Sequence, residues 1–365
     1  MDMSFFLQLT LNGILLGGFY ALMAAGFSLS WRVTRMINLA HGEFVLMGAY
    51  LAWFLLNPKE AIGLAVGATT LPIMGLVMSM LALSLGLLLN RFFLGRWVNH
   101  PWQRRSASYI AGILIATVLY LLWSASDFMP IDPFLAIPLT ALFFFGLGYI
   151  LQDTILNRLI DRPFLTMLLV TFAVKTMLEN FGLLVYTATP RELNLSYMNA
   201  FWRMGESNIT ISQTRFFTLI IAGAVIVTLA FLLRGTRAGQ AIRAAAQHRM
   251  AAQLVGINIR QTYATTFGIA LALAGIAGTV LSTFQPFTPD NGSAWTLRAF
   301  AIVALGGVSH MEGVVLAAFV LALAESYVGG YINTGWALAV PLALLVITLI
   351  VRPPRGQAVM MAEKA

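Results

Sequence analysis

The chain has 365 residues, 59% hydrophobic and only 10% charged, whereas ordinary globular domains run near 25% charged. So few charges cannot cover a soluble fold of this size, and the composition points to a bilayer. The net charge of +8 excludes little by itself, but its arginines sit in short connectors between apolar runs, as the positive-inside bias requires, with no aromatic-basic stripe for nucleic acid. Cysteine is absent, so disulfides, thiol chemistry and cysteine-held zinc are excluded.

A membrane span takes about 20 apolar residues. In chain order the apolar segments are 5–30, 38–56, 62–89, 109–123, 134–155, 164–186, 216–233, 263–284, 299–323 and 336–351. They predict an all-α, polytopic transmembrane bundle of about nine or ten segments, forming one transmembrane domain over residues 1–352. The first segment has no basic leader and is too long for a cleaved signal, so it is expected to stay in the membrane. The connector after 62–89 carries Arg91, Arg96, Arg104 and Arg105 without an acid and is expected in the cytoplasm. Residues 187–214 form the longest outer loop. Connector 234–261 carries Arg234, Arg237, Arg243, Arg249 and Arg260 without an acid and faces the cytoplasm, as does the tail 353–365.

Arg260 and Arg352 on one side demand an even number of crossings between them, yet three apolar stretches lie there. A break in the middle one at Gly306 and Gly307, followed by Ser309, His310 and Glu312, restores parity if it is re-entrant from outside. A short repeat points the same way: His41 and Glu43 at one segment junction match His310 and Glu312 at the other. If 33–56 is also re-entrant from outside, the N-terminus is cytoplasmic; if it crosses, the N-terminus is periplasmic. The first is favoured.

Polar groups inside a membrane are costly and mark function. Asn38, His41, Gly42, Glu43, Gly306, Gly307, Ser309 and Glu312 are therefore the candidate substrate path. The plainer role for either histidine is a hydrogen bond to a carbonyl or to its nearby Glu, and two His make no metal site. Lys175 and Glu179, four apart, are expected to neutralise each other on one helical face. Arg298 is expected to snorkel to the interface, and Glu325 to pair with a partner helix. Residues 243–254 read as one short cytoplasmic helix, stopped by Gly256.

Three stretches carry a resemblance. The first is Gly18-Phe19-Tyr20-Ala21-Leu22, then Met36-Ile37-Asn38-Leu39-Ala40-His41-Gly42-Glu43 and Met47-Gly48-Ala49-Tyr50. The second is Gly239-Gln240-Ala241-Ile242-Arg243-Ala244-Ala245-Ala246-Gln247 through Leu254-Val255-Gly256-Ile257-Asn258. The third runs from Leu305-Gly306-Gly307-Val308 to Glu325. In this order they resemble the permeases of branched-chain amino acid ABC importers, of the high-affinity leucine/isoleucine/valine, first-permease type.

The resemblance implies a bacterial inner-membrane subunit that moves a small amino acid-type solute inward by alternating access. It implies a second homologous permease, two cytoplasmic ATPase subunits and a periplasmic solute-binding protein, with no cofactor, metal or nucleic acid. It makes the 234–261 connector the coupling loop, with Arg243, Ala245, Ala246, Gln247, Ala251, Leu254 and Gly256 docking the ATPase. A compact helix of small apolar residues suits a groove on such a partner. Two departures stand out: an extra helical hairpin at 62–132, and Gln247-His248 where an acidic pair is usual. The chain has no phosphate-binding loop and no nucleophile–base set, so it is not expected to be an enzyme. The rivals are a stand-alone ion-coupled transporter using Glu43, Glu312 and Glu325, and a related permease for urea or amides.

Overall fold

The computed structural model describes residues 3–57, 133–193, 200–203, 209–308 and 310–351. The hairpin expected at 62–132, Ser309 and the tail 353–365 lie outside the described residues. The chain forms α1 (Met3–Thr34), α2 (His41–Leu56), α3 (Pro133–Thr154) and α4 (Phe164–Tyr186). A two-stranded antiparallel pair follows, β1 (Phe201–Arg203) against β2 (Thr210–Ser212). Then come α5 (Gln213–Gly235), α6 (Arg237–Gln247), α7 (Arg249–Leu254), α8 (Ile259–Leu281), α9 (Gly292–Gly306), α10 (Met311–Tyr331), α11 (Thr334–Ala337) and α12 (Val340–Val351). Among the described residues seven helical stretches are long and apolar enough to cross a membrane, while α2 and α9 are shorter. The predicted polytopic helical bundle is what forms.

The centre of the bundle is α1 and α8, apolar and buried on nearly every side. Small residues bring the backbones together: a Cβ at Gly48 would come 2.8 Å from the Gly275 Cα, and one at Gly13 2.9 Å from the Leu323 Cα. Hydroxyls inside α8 cost little, because Thr262, Thr265, Thr266 and Thr279 each donate to the carbonyl four residues back. Thr279 also meets Thr140 of α3 at 2.8 Å. By contrast α4, α5 and α12 turn Leu169, Leu184, Val227, Phe231 and Ile350 outward, as a lipid-facing or partner-facing rim would.

The two ends of the bundle are distinct. Gln8 of α1 pairs its carboxamide with both backbone groups of Thr210, at 2.9 and 2.8 Å. Thr10 meets Tyr327 at 2.8 Å and Phe5 packs on Tyr331, so α1 and α10 run antiparallel. The start of α1 thus shares an end with the β-pair, opposite the arginine-rich connector. A cytoplasmic connector therefore puts the N-terminus outside, opposite to the favoured reading. The reason is that α1 crosses, and the chain then folds back into the bundle from the arginine-rich end.

The break near Gly306 is real, but its setting differs from expectation. Helix α9 stops at Gly306, Gly307 takes a φ of +84° that only glycine adopts without strain, and α10 restarts at Met311. The elbow lies on the surface beside the connector: Glu312 pairs with Arg234 at 3.0 Å, both side chains well exposed. The apolar stretch 299–323 is therefore two helices, and four segments rather than three lie between Arg260 and Val351. Parity is satisfied without re-entry from outside. The short repeat also loses its meaning, since His41 and Glu43 are fully buried while His310 and Glu312 are exposed. The true counterpart of the break at 35–40 is the stretch 282–291 before α9, which is irregular until a single 3-10 turn at Pro289–Asn291.

Candidate functional site

Both breaks lead to the same place. After α1, residues 35–40 run back into the bundle, with Met36, Asn38 and Ala40 buried. The Asn38 side-chain Oδ1 accepts from the Ala40 N–H at 3.1 Å, an Asx turn that turns the chain into α2. Helix α2 begins deep inside, because His41 lies against Gly26 and its Nε2 donates to the Met23 carbonyl at 3.0 Å. Gly26 in turn faces the Ala270 carbonyl, at the midpoint of α8. From there α2 runs outward, and Tyr50 stacks on Tyr186 at 4.1 Å near the outer end of α4.

Helix α9 starts beside the start of α2. The Gly42 N–H donates to Thr296 Oγ1 at 2.8 Å, and that hydroxyl lies 3.2 Å from the Leu39 carbonyl. Gly292, the first residue of α9, lies directly on the Glu43 carboxylate; any Cβ there would strike it. Glycine at 42 is equally required, since a Cβ would come 2.7 Å from Thr296 Oγ1. Two half-length helices thus begin at one point and diverge, α2 toward the outer end and α9 toward the arginine-rich end. Helix N-termini carry unsatisfied N–H groups and partial positive charge, and both converge on Glu43.

The polar groups here are incompletely used. Glu43 is fully buried and neither oxygen has a hydrogen-bond partner among the described residues; Asn38 Nδ2 and His41 Nδ1 are likewise unmatched. Buried polar groups are normally satisfied, so such a cluster marks function or an unseen ligand. The structure brings Asn38, His41, Gly42 and Glu43 together. It does not bring Gly306, Gly307 and Glu312 to them: these lie at the other end of α9, about 20 Å away at the rise of an α-helix.

Two other residues differ from expectation. Arg298 does not snorkel. It is buried, its Nε donates to Glu325 Oε1 at 2.9 Å, and its guanidinium lies 4.8 Å from the Trp295 ring centre. The Tyr20 hydroxyl donates to the other Glu325 oxygen. Glu325 does pair with a neighbouring helix, one of this same chain. Lys175 and Glu179 pair as expected, at 3.2 Å. Gly292 and Thr296 were missed in the sequence, although Pro289-Asp290-Asn291-Gly292 is a turn signal that could have marked a helix start.

The connector forms two helices rather than one, because the His248 side chain caps α7 by accepting from the Ala251 N–H at 3.3 Å. Helix α7 ends in a Schellman motif: Gly256 donates to the Gln253 carbonyl at 2.9 Å and Ile257 to the Ala252 carbonyl at 3.0 Å. Gly256 takes a φ of +83°, so the predicted glycine stop holds. Of the expected docking residues, Gln247, Ala251, Leu254 and Gly256 face outward, Arg243 and Ala246 are half-buried, and Ala245 turns into the bundle. Met250 and Val255 join the outward face, which Leu254 leads at 87% exposed. Arg249 pairs with Asp161 at 2.8 Å and Arg260 with Asp153 at 2.7 Å, so the connector grips the α3–α4 turn as well as the α9–α10 elbow.

A family model described as "Branched-chain amino acid transport system / permease component" matches residues 9–98 and 105–349. The chain is 25% identical to the high-affinity branched-chain amino acid transport system permease protein LivH of Escherichia coli (strain K12), over 96% of this chain and 94% of the relative. It is 30% identical to the permease protein LivM of the same organism and system, over 32% of this chain and 27% of that one. It is 26% identical to the nucleoside ABC transporter permease protein NupB of Lactococcus lactis subsp. cremoris, over 62% and 65%. No solved structure matches.

Proposed function

This chain belongs to the branched-chain amino acid transport permease family, and from that premise we propose that it is one membrane-spanning half of an ATP-driven importer. Its partners are a second homologous permease, two cytoplasmic ATPase subunits and a periplasmic binding protein that delivers the solute. Likeness to both LivH and LivM supports a paired arrangement. The cargo is a small amino acid, with branched-chain amino acids favoured by the full-length likeness to LivH.

The observation that carries this reading is α7. Helix α7 presents Met250 and Leu254, with Val255 just after it, outward at the arginine-rich end, an exposed apolar patch among the described residues. A short amphipathic helix of this kind fits a groove on another protein. The chain itself has no phosphate-binding loop, so energy has to arrive through such a contact. The ion pairs from Arg234, Arg249 and Arg260 then link the docked connector to both the α9–α10 elbow and the α3–α4 turn.

The substrate path follows α9. Asn38, His41, Gly42 and Glu43 form the central station at its start, and Gly306, Gly307 and Glu312 the inner mouth at its end, beside the connector. Closure of the ATPase pair pulls the connector, and the elbow transmits that pull to α9. Reconstitution of the chain with its partners in proteoliposomes tests the reading. L-leucine uptake is expected to need ATP, the ATPase subunits and the binding protein. Uptake by this chain alone, driven by an ion gradient, would instead assign it to secondary transport.

A further inference from the structure

Glu43 does not stand alone. Gly182 of α4 packs on Pro289, with 3.0 Å between the Pro289 Cβ and the place a Cβ on Gly182 would occupy. This seats the Lys175–Glu179 pair, one to two turns earlier on α4, beside the Pro289–Asn291 turn that leads into α9. Thr171, one turn before Lys175, donates to the Ile37 carbonyl at 3.3 Å and Gly182 lies on Met47, so the Lys175–Glu179 stretch runs alongside Glu43 of α2, while Asp290 stands two residues before Gly292, which lies on the Glu43 carboxylate. Further along α2, the buried Tyr50 hydroxyl also has no partner among the described residues. Asp290, Asn291 and Ser293 are exposed, so this corner of the buried cluster reaches the surface.

The corner has two chemistries side by side. One is the start of α9, whose first N–H groups lack intrahelical acceptors and which Asn291 does not cap with its side chain. The other is acidic: Glu43, Glu179 and Asp290 line it, with Lys175 paired to Glu179. A plain anion meets three carboxylates here, and a plain cation meets the positive ends of two helices. A molecule carrying an ammonium and a carboxylate on one carbon matches both.

We propose that the α2–α9 junction reads the zwitterionic head of an amino acid, with the ammonium on Glu43 and Asp290 and the carboxylate on the N-terminus of α9. The inference rests on the importer reading and names what the central station recognises. In this arrangement the Glu43 carboxylate lies against Gly292 and closes the junction. An arriving ammonium draws that carboxylate away from Gly292 and frees the α9 N–H groups for the substrate carboxylate. The side chain of the cargo takes no part in this recognition.

The test uses the complete reconstituted importer, with L-leucine taken up per ATP hydrolysed as the readout. Glu43→Gln is expected to lower that ratio by about tenfold or more, the scale of losing a charged hydrogen-bond partner. Glu43→Asp is expected to restore part of it, which a purely structural role would not allow. Asp290→Asn, at an exposed position, is expected to lower the ratio less, and carries the test if Glu43→Gln fails to assemble. A wild-type ratio in Glu43→Gln, or in Asp290→Asn where Glu43→Gln does not assemble, overturns the proposal. So does equal impairment of Glu43→Gln and Glu43→Asp. Uptake that requires sodium in the wild type and loses that requirement in Glu43→Gln would assign the site to a cation. A wild-type complex with no ATP-coupled uptake would defeat the importer reading itself, a different failure.

Discussion

Leu254→Asp is expected to reduce ATP-driven uptake by about tenfold or more while the permease still inserts and folds. Leu254 is 87% exposed among the described residues, so aspartate there removes almost no packing against them. Helix α7 is held from behind by its His248 cap, by the Schellman turn at Gly256 and by inward Ala252. The charge therefore acts only on whatever covers the outward face. A central apolar anchor in a docking interface typically contributes about 2 kcal/mol or more, and a carboxylate in its place also leaves an unpaired charge in the contact. Co-purification of the ATPase subunits and uptake should fall together. Arg237→Gln, on the connector but off α7, is the matched control. Wild-type coupling in Leu254→Asp would remove α7 from the docking role.

The second large effect lies in the buried pair of α9 and α10. Arg298→Met alone leaves Glu325 buried with only the Tyr20 hydroxyl, and Glu325→Met alone leaves an arginine stranded among Trp295 and its neighbours. Breaking a buried pair from one side costs about 3–5 kcal/mol. Each single variant is expected to lose most of its properly assembled protein and to melt well below the wild type in detergent. The double variant Arg298→Met with Glu325→Met removes both charges and is expected to regain most of that loss, because two apolar chains of similar length fill the same space. Additive losses in the double variant would mean that the two residues do not act as a pair. The pair ties α9 to α10 across their hairpin, so the two move together when the elbow is pulled.

Much of the architecture was legible because it rests on local chemistry. Apolar runs long enough to span predict α3, α4, α5 and α8 to within a few residues, since periodicity and connector charge are properties of short windows. The glycine stop at Gly256 and the Lys175–Glu179 pair were legible for the same reason. What the sequence concealed depends on depth and partners. Arg298 looks like a residue bound for the interface until Glu325, 27 positions later, is seen to face it. The His-Glu repeat looked like internal symmetry, yet one copy is buried at the heart of the bundle and the other pairs with Arg234 at its edge. The start of α9 was hidden inside a hydrophobic count that began at Ala299, although the Asn291-Gly292 step marks it. Asn38, His41, Gly42 and Glu43 stand out in the sequence because ionisable residues beside a glycine in an apolar context are rare whatever the fold. Their meeting with Gly292 and Thr296, some 250 positions away, required the tertiary structure.

In the proposed importer, ATP-driven motion opens and closes the junction where α2 and α9 begin. The chain has no cysteine, so a single Ser293→Cys, at an exposed site on the first turn of α9, reports on that junction without background. Its labelling by a membrane-impermeant maleimide added from the binding-protein side should be measured in the full complex, first without nucleotide and then trapped with ATP and vanadate. The account predicts labelling rates that differ by about tenfold or more between the two states, as alternating access of a gated site requires. Equal rates in both states would contradict it.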